Sequence, residues 1–209
     1  EKKGYVPGPA YYDKIYKGWQ WRASTIISIG FGQGELLVTP LQLANSYAVL
    51  ANKGYYYMPH LAKKFENEEG ELDRYRKKLY TEIPPELYEY MFQGMADVVN
   101  AGTARQAQIE GIQVAGKTGT AENPHGKDHS IFAAFAPVEN PKIAIAVVVE
   151  NSGYGGTWAA PIASLMIEKY INREINPKRK ALEERMMKAN FINPKPAPVP
   201  SQNPDSNPA

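Results

Sequence analysis

The sequence contains no cysteine in its 209 residues, which removes disulfide scaffolds, thiolate metal sites and cysteine nucleophiles together. It has no apolar run near the ~20 residues that a membrane-spanning helix requires, and no secretory leader can be read in it. Charge of one sign is lacking too. Lys and Arg number 24 against 22 Asp and Glu, a formal net charge of +2, too little to draw nucleic acid from a distance, so no nucleic-acid partner is expected. What is present is a 43% hydrophobic share, enough for a core and too much for wholesale disorder.

The length suits one domain, or one domain with a tail. Composition divides it. Seven of the 17 prolines fall from Pro177 onward, and residues 193–209 read as a disordered Pro-rich tail, solvated in preference to docked through its alternating Pro194, Pro196, Pro198 and Pro200. Residues 176–192 read as a short helix with Leu182, Met186 and Met187 on one side, packed as a lid on its own domain. Residues 1–175 hold the main structured part. Near its start, Tyr11, Tyr12, Tyr16, Trp19 and Trp21 suggest either a stacking surface for sugars or bases or a loop packed on a core, and their density favours packing.

Thr39, Pro40 and Gln42 form an N-cap, a proline at the first helical position and a capping-box partner, so a helix is predicted from Thr39 to a stop at Gly54. A second is predicted over Pro85–Asn100, with Leu87, Tyr88, Met91, Met95 and Val98 as its apolar stripe, and a third over Thr157–Ile171 carrying Ile162, Leu165, Met166 and Tyr170. Tyr55–Phe65 and Glu71–Tyr80 flank a turn at Glu68-Glu69-Gly70 and predict a small hairpin. Ile112–Ala121, Ser130–Ala136 and Ile143–Glu150 predict three strands, the last two antiparallel across the turn at Pro137, Asn140 and Pro141. The order predicts an α+β fold, an antiparallel sheet flanked by helices.

Several glycine motifs compete. In Gly30-Phe31-Gly32-Gln33-Gly34-Glu35 the third glycine of a dinucleotide loop would fall on Glu35, so the pattern fails. Gly111 to Thr118 satisfies the nucleotide-binding P-loop expression in full. That chemistry needs bare N–H groups around phosphate and a helix beginning behind them, whereas Gly119, Pro124 and Gly126 forbid the helix and Ile112-Gln113-Val114-Ala115 alternates like a strand. A third motif, Lys117-Thr118-Gly119-Thr120, lies on that strand. There Lys117 and Gly119 share one face, Thr118 and Thr120 the other. An ammonium with two hydroxyls suits a carboxylate, and Gly119 leaves room for an extended peptide to pair with the backbone. His125 and His129, with Glu122 and Asp128, suggest a metal site only on a helix, which Pro124 and Gly126 exclude. No metal or cofactor is expected. Ser152 lacks the first glycine of a serine-hydrolase elbow, so its glycine-rich surroundings read as a turn.

Lys117-Thr118-Gly119-Thr120 resembles the K-T-G element of penicillin-binding proteins and β-lactamases. Ile29-Gly30-Phe31-Gly32-Gln33-Gly34, Thr39-Pro40-Leu41-Gln42, Gly102-Thr103-Ala104 and Ala134-Phe135-Ala136-Pro137 resemble one branch, the class B, elongation-type transpeptidases of the penicillin-binding protein 2 group, over roughly Tyr11 to Ile171. The resemblance implies a penicillin-binding transpeptidase or β-lactamase-like fold and acyl transfer through a serine acyl-enzyme. Its donor would be a D-Ala-D-Ala peptidoglycan stem peptide, its acceptor a second stem, and β-lactams its inhibitors. It implies charge supplied by Lys117, carboxylate binding by the Thr118 and Thr120 hydroxyls beside Gly119, and an oxyanion donor in the Thr120 N–H. It also implies a place on the periplasmic face of the inner membrane, among the cell-wall elongation machinery. A β-lactam sensor or β-lactamase is the alternative within the fold, and a P-loop nucleotide protein the alternative outside it.

One departure is plain. No serine in the sequence has a lysine three positions on, and Ser201-Gln202-Asn203 follows the K-T-G motif instead of preceding it. The expectation is therefore a later part of a transpeptidase domain, opening on Glu1 and inactive alone, whose serine and lysine base come from a missing N-terminal part. Ile143–Glu150 should then be left with an uncovered edge.

Overall fold

The computed structural model describes residues 3–17, 21–61 and 73–192. Three helices come first: α1 (Pro9–Tyr16), α2 (Ala23–Gly30) and α3 (Pro40–Ala51). The two-residue strands β1 (Tyr55–Tyr56) and β2 (Leu79–Tyr80) pair antiparallel around the helical turn α4 (Asp73–Arg76). Helix α5 (Leu87–Asn100) leads into the sheet of β3 (Ala115–Ala121), β4 (His129–Ala136) and β5 (Ile143–Val149), and α6 (Ala159–Asn172) and α7 (Lys180–Lys188) are the last helices among the described residues. The sheet order is β3-β4-β5, antiparallel throughout.

The central strand shows how the layers form. Phe132, Ala134 and Ala136 of β4 alternate onto one face and join Ala159, Ala160, Ala163 and Ile167 of α6. Phe135 faces the other way, against Tyr88 and Phe92 of α5 with Tyr47 of α3 beside them. The two phenyl rings of Phe92 and Phe135 lie 4.9 Å apart. A strand buried on both faces has no polar side, and Ile131 to Ala136 accordingly contains none. Three alanines on α6 let that helix approach the sheet closely, which leaves the wide phenylalanine to fill the gap.

The capping box at α3 forms as expected, with Gln42 N–H donating to Thr39 Oγ1 and Thr39 N–H donating to Gln42 Oε1. Gly54 takes φ +108°, a conformation that few other residues tolerate. Two stripes are corrected. On α5 the buried residues are Tyr88, Phe92, Ala96 and Val99, while Leu87 and Met91 are exposed. On α6 Leu165 is buried, but Met166 and Tyr170 face outward with Ile162 along a cavity of about 550 Å³ between α6 and α7. Among the described residues the predicted hairpin is limited to β1 and β2; its turn, and residues 62–65 and 71–72 of its predicted strands, lie outside them.

The aromatic cluster packs, as its density suggested, but on helix α1 instead of a loop. Tyr12 is buried among Tyr11, Tyr16 and Trp21, and its hydroxyl donates to Glu35. Burial, then Glu35, push its phenol up to about 12. Trp19 and the Pro-rich tail lie outside the described residues. Strand β5 is the outer strand of its sheet, and among the described residues no strand pairs with its far side.

Candidate active site

Strand β3 forms the other edge of the sheet, and the K-T-G element sits in its middle. Register places Thr118 opposite Phe132, Gly119 opposite Ile131 and Thr120 opposite Ser130. The backbone directions can be read from side-chain bonds. Thr118 O accepts from Lys117 Nζ at 2.8 Å, and Thr120 O accepts from Gln33 Nε2 at 3.1 Å. In an antiparallel strand the N–H and C=O of one residue point to the same side. Thr118 and Thr120 therefore turn their amides to the open edge, and Gly119 turns its own towards β4.

Thr118 and Thr120 also share a face, and there they line one cavity of about 390 Å³ with Gly102, Thr103, Arg105, Gln106 and the loop Tyr154–Thr157. Thr103 Oγ1 and Thr118 Oγ1 are 2.7 Å apart, within hydrogen-bonding distance. The lining carries hydroxyls, one guanidinium and no carboxylate, so an anion is the ligand it suits. Lys117 projects from the opposite face of the strand and is exposed, so the structure brings Thr118 and Thr120 to this cavity, while Lys117 and Gly119 do not line it.

The wall loop comes this close because it has no side chains where it crosses the strand. A Cβ on Gly155 would sit 2.3 Å from Ile131 O and 2.5 Å from Gly119 O, and one on Gly156 would sit 2.3 Å from Thr103 O. Buried Ser130 then fastens the loop, donating to Tyr154 O at 3.0 Å while its oxygen accepts from Ala159 N–H at 3.0 Å. One hydroxyl thus holds both the cavity wall and the first turn of α6. Residues 153–156 were read from the sequence as a turn; their contact with β3 depends on a sheet register that no local pattern displays. Thr103 was legible as part of Gly102-Thr103-Ala104, whereas Arg105 and Gln106 carry no signal in sequence.

The competing motifs find other places. Gly116 of the P-loop expression is packed against Phe132, where a Cβ would fall 2.6 Å from the ring, and strand continues through Lys117 and Thr118 where a helix is required. The nucleotide reading is therefore set aside. His125 lies in a turn, and His129 Nδ1 accepts from Asn151 N–H at 3.1 Å. Ser152 Oγ donates to Val149 O, a local turn bond.

The family model of the penicillin-binding protein transpeptidase domain matches residues 10–168. The chain belongs to that family. This transpeptidase-domain chain is 36% identical over 192 residues to the peptidoglycan D,D-transpeptidase MrdA of Haemophilus influenzae, covering 81% of this chain and 29% of that protein. It is similar in structure to Pseudomonas aeruginosa PBP2 in complex with WCK 5153, with TM-score 0.69, 32% identity, and coverage of 84% of this chain and 39% of that one. It is also similar to Helicobacter pylori PBP2 in its complex with MreC, with TM-score 0.66, 26% identity, and coverage of 80% and 31%. The transpeptidase-domain chain thus spans less than a third of MrdA. Its helices and antiparallel sheet have the penicillin-binding transpeptidase fold.

Proposed function

We propose that this chain forms the substrate-binding side of a peptidoglycan D,D-transpeptidase of cell-wall elongation, a target of β-lactams. One observation carries the reading: Thr118 and Thr120 present hydroxyls to an acid-free cavity while their amides face an open strand edge. A D-Ala-D-Ala donor has a terminal carboxylate and an extended backbone, the two features such an edge recognises.

In this mechanism the donor lies along β3, with its carboxylate held by Thr118 and Thr120 and further attracted by the Lys117 charge. A serine outside the 209 residues, its proton taken by a neighbouring lysine, attacks the penultimate carbonyl. The oxygen gains negative charge next to the Thr120 N–H, where a fixed donor lowers the barrier by roughly 3 kcal/mol. The C–N bond then breaks and D-Ala departs with the proton. The amine of a second stem displaces the serine and restores it. A β-lactam offers the same carboxylate and an amide whose nitrogen stays tethered, which stalls the second step. The missing part of the domain supplies the nucleophile and covers β5. We place the protein at the periplasmic face of the inner membrane, working with an elongation scaffold as the PBP2–MreC complex suggests.

The test is acylation of the full-length protein by fluorescent penicillin. The wild type takes the label, and Thr118→Val, which removes a carboxylate-binding hydroxyl, slows labelling by about tenfold, with no saturable binding of labelled ATP by either protein. A wild type that takes no label, or a Thr118→Val variant that labels at the same rate, would overturn the reading.

A further inference from the structure

The end of the described chain reaches back to the cavity. Arg185 of α7 donates from Nη2 to Gln106 Oε1 at 2.7 Å and to Thr157 O at 3.3 Å. Both acceptors line the Thr118–Thr120 cavity, and each belongs to a different wall. One wall is the Thr103–Gln106 segment before β3, the other the Tyr154–Thr157 loop before α6. The guanidinium is therefore a bridge between them. It lies 5.7 Å from the Trp158 ring centroid, and Trp158 meets Phe191 edge-on at 4.8 Å.

The same segment is anchored at its other end. Arg179 donates to the buried Glu168 carboxylate and to Ser164 Oγ. Apolar packing does less for α7. Met187 is 82% exposed, and the cavity between α6 and α7 stays open. Polar contacts from two arginines set where this helix sits.

We propose that Arg185 is a positioning residue for the carboxylate cavity: by bridging Gln106 and Thr157 it fixes the separation of the two walls and so the approach of a carboxylate to Thr118 and Thr120. The proposal takes its substrate from the transpeptidase reading, but its geometry stands without that reading. A planar guanidinium holds its N–H donors in one rigid plane that can also face an aromatic ring, a geometry that a lysine ammonium reproduces only in part. Otherwise the walls meet where Gly156 packs against Thr103 O, and Gln106 is tied to α6 by a longer Ser164–Gln106 contact of 3.5 Å.

The experiment compares wild type, Arg185→Ala and Arg185→Lys in the full-length protein. Acylation is measured with benzylpenicillin and with its methyl ester, which lacks the carboxylate charge, and amide hydrogen exchange is followed over 103–107 and 154–158. Arg185→Ala is expected to slow acylation by the acid about tenfold and by the ester little, so that the acid-to-ester ratio falls. Arg185→Lys is expected to fall between. Exchange rises in both walls while β3–β5 stay protected. Equal slowing with both reagents, the mark of lost folded protein alone, overturns the proposal, as does an unchanged ratio with unchanged wall exchange. If Arg185→Ala does not fold, Arg185→Lys and Gln106→Ala carry the same comparison. A wild type that takes no penicillin defeats the transpeptidase reading, and hydrogen exchange then decides the bridge by itself.

Discussion

An earlier and a later region of this chain use apolar residues in opposite ways. From Ala104 to Ile167 they meet one another: Phe132, Phe135, Val114 and Ile167 are fully buried around the sheet. From Ile15 to Leu41 they largely do not. Ile26, Ile27, Phe31, Leu37, Val38 and Leu41 are all exposed, α2 contains no buried residue, and α3 is only half-buried, through Tyr47, Val49 and Leu50 against the sheet. The later region makes its own core, whereas the earlier one offers apolar surface that other residues can cover. Stability measured on this chain should therefore report mainly on the sheet, and function at β3 should survive most changes in α2.

Substitutions can break that contrast. The largest effect is expected from Phe132→Ala, which empties the space under α6 and should cost about 3–5 kcal/mol in urea unfolding. A loss as small as that of a surface change would show that the sheet is not the cooperative unit. Glu168→Gln comes next. The carboxylate and Arg179 are 2% and 14% exposed, so neutralising one partner leaves a buried cation and should cost about 3 kcal/mol. In the earlier region Thr39→Ala removes one half of the capping box and should cost about 1 kcal/mol, read as lost helical signal. Ile26→Ser should change the unfolding free energy by no more than about 0.5 kcal/mol; a large loss there would mean that α2 packs as tightly as α6.

Alkaline pH acts first on the earlier region, through two phenols. Burial raises the Tyr47 phenol from 10.0 to about 12, and Tyr12 moves similarly. A group whose folded pKa is raised contributes fully below pH 10, and the contribution is lost as pH climbs towards 12. Thermal midpoints should hold steady up to pH 10 and then fall, with phenolate absorbance from these two rings appearing late. Phenylalanine at position 47 should remove part of the fall. At neutral pH none of this shows.

Against these expectations, what could be read in advance has a pattern. Thr39, Pro40 and Gln42 announced α3 because capping is local chemistry, complete within four residues. Strands β3, β4 and β5 were legible to within three residues because Pro137 and Pro141 punctuate them. The face of α5 was not. Leu87 and Met91 stand four apart just as Tyr88 and Phe92 do, and only the sheet behind decides which pair turns inward. Helix α2 was missed because six of the eight residues of Ala23–Gly30 are isoleucine, serine or threonine, weaker helix formers, and the helix has no side-chain cap. At the site, Lys117 to Thr120 stood out as a motif, while Arg105, Gln106 and Arg185 meet it only through the fold.

The outer edge of β5 has a consequence of its own. Ile143 to Val149 contains only isoleucine, alanine and valine, with Lys142 before it and Glu150 after. Charged flanking residues usually discourage a strand from adding to its own kind. Here they have opposite signs. Two copies paired antiparallel about Ala146 would set Lys142 of each against Glu150 of the other, so the charges that should guard the edge would instead welcome a twin. Colloidal behaviour, more than fold, is where this strand will first be noticed: self-association that weakens as salt is added.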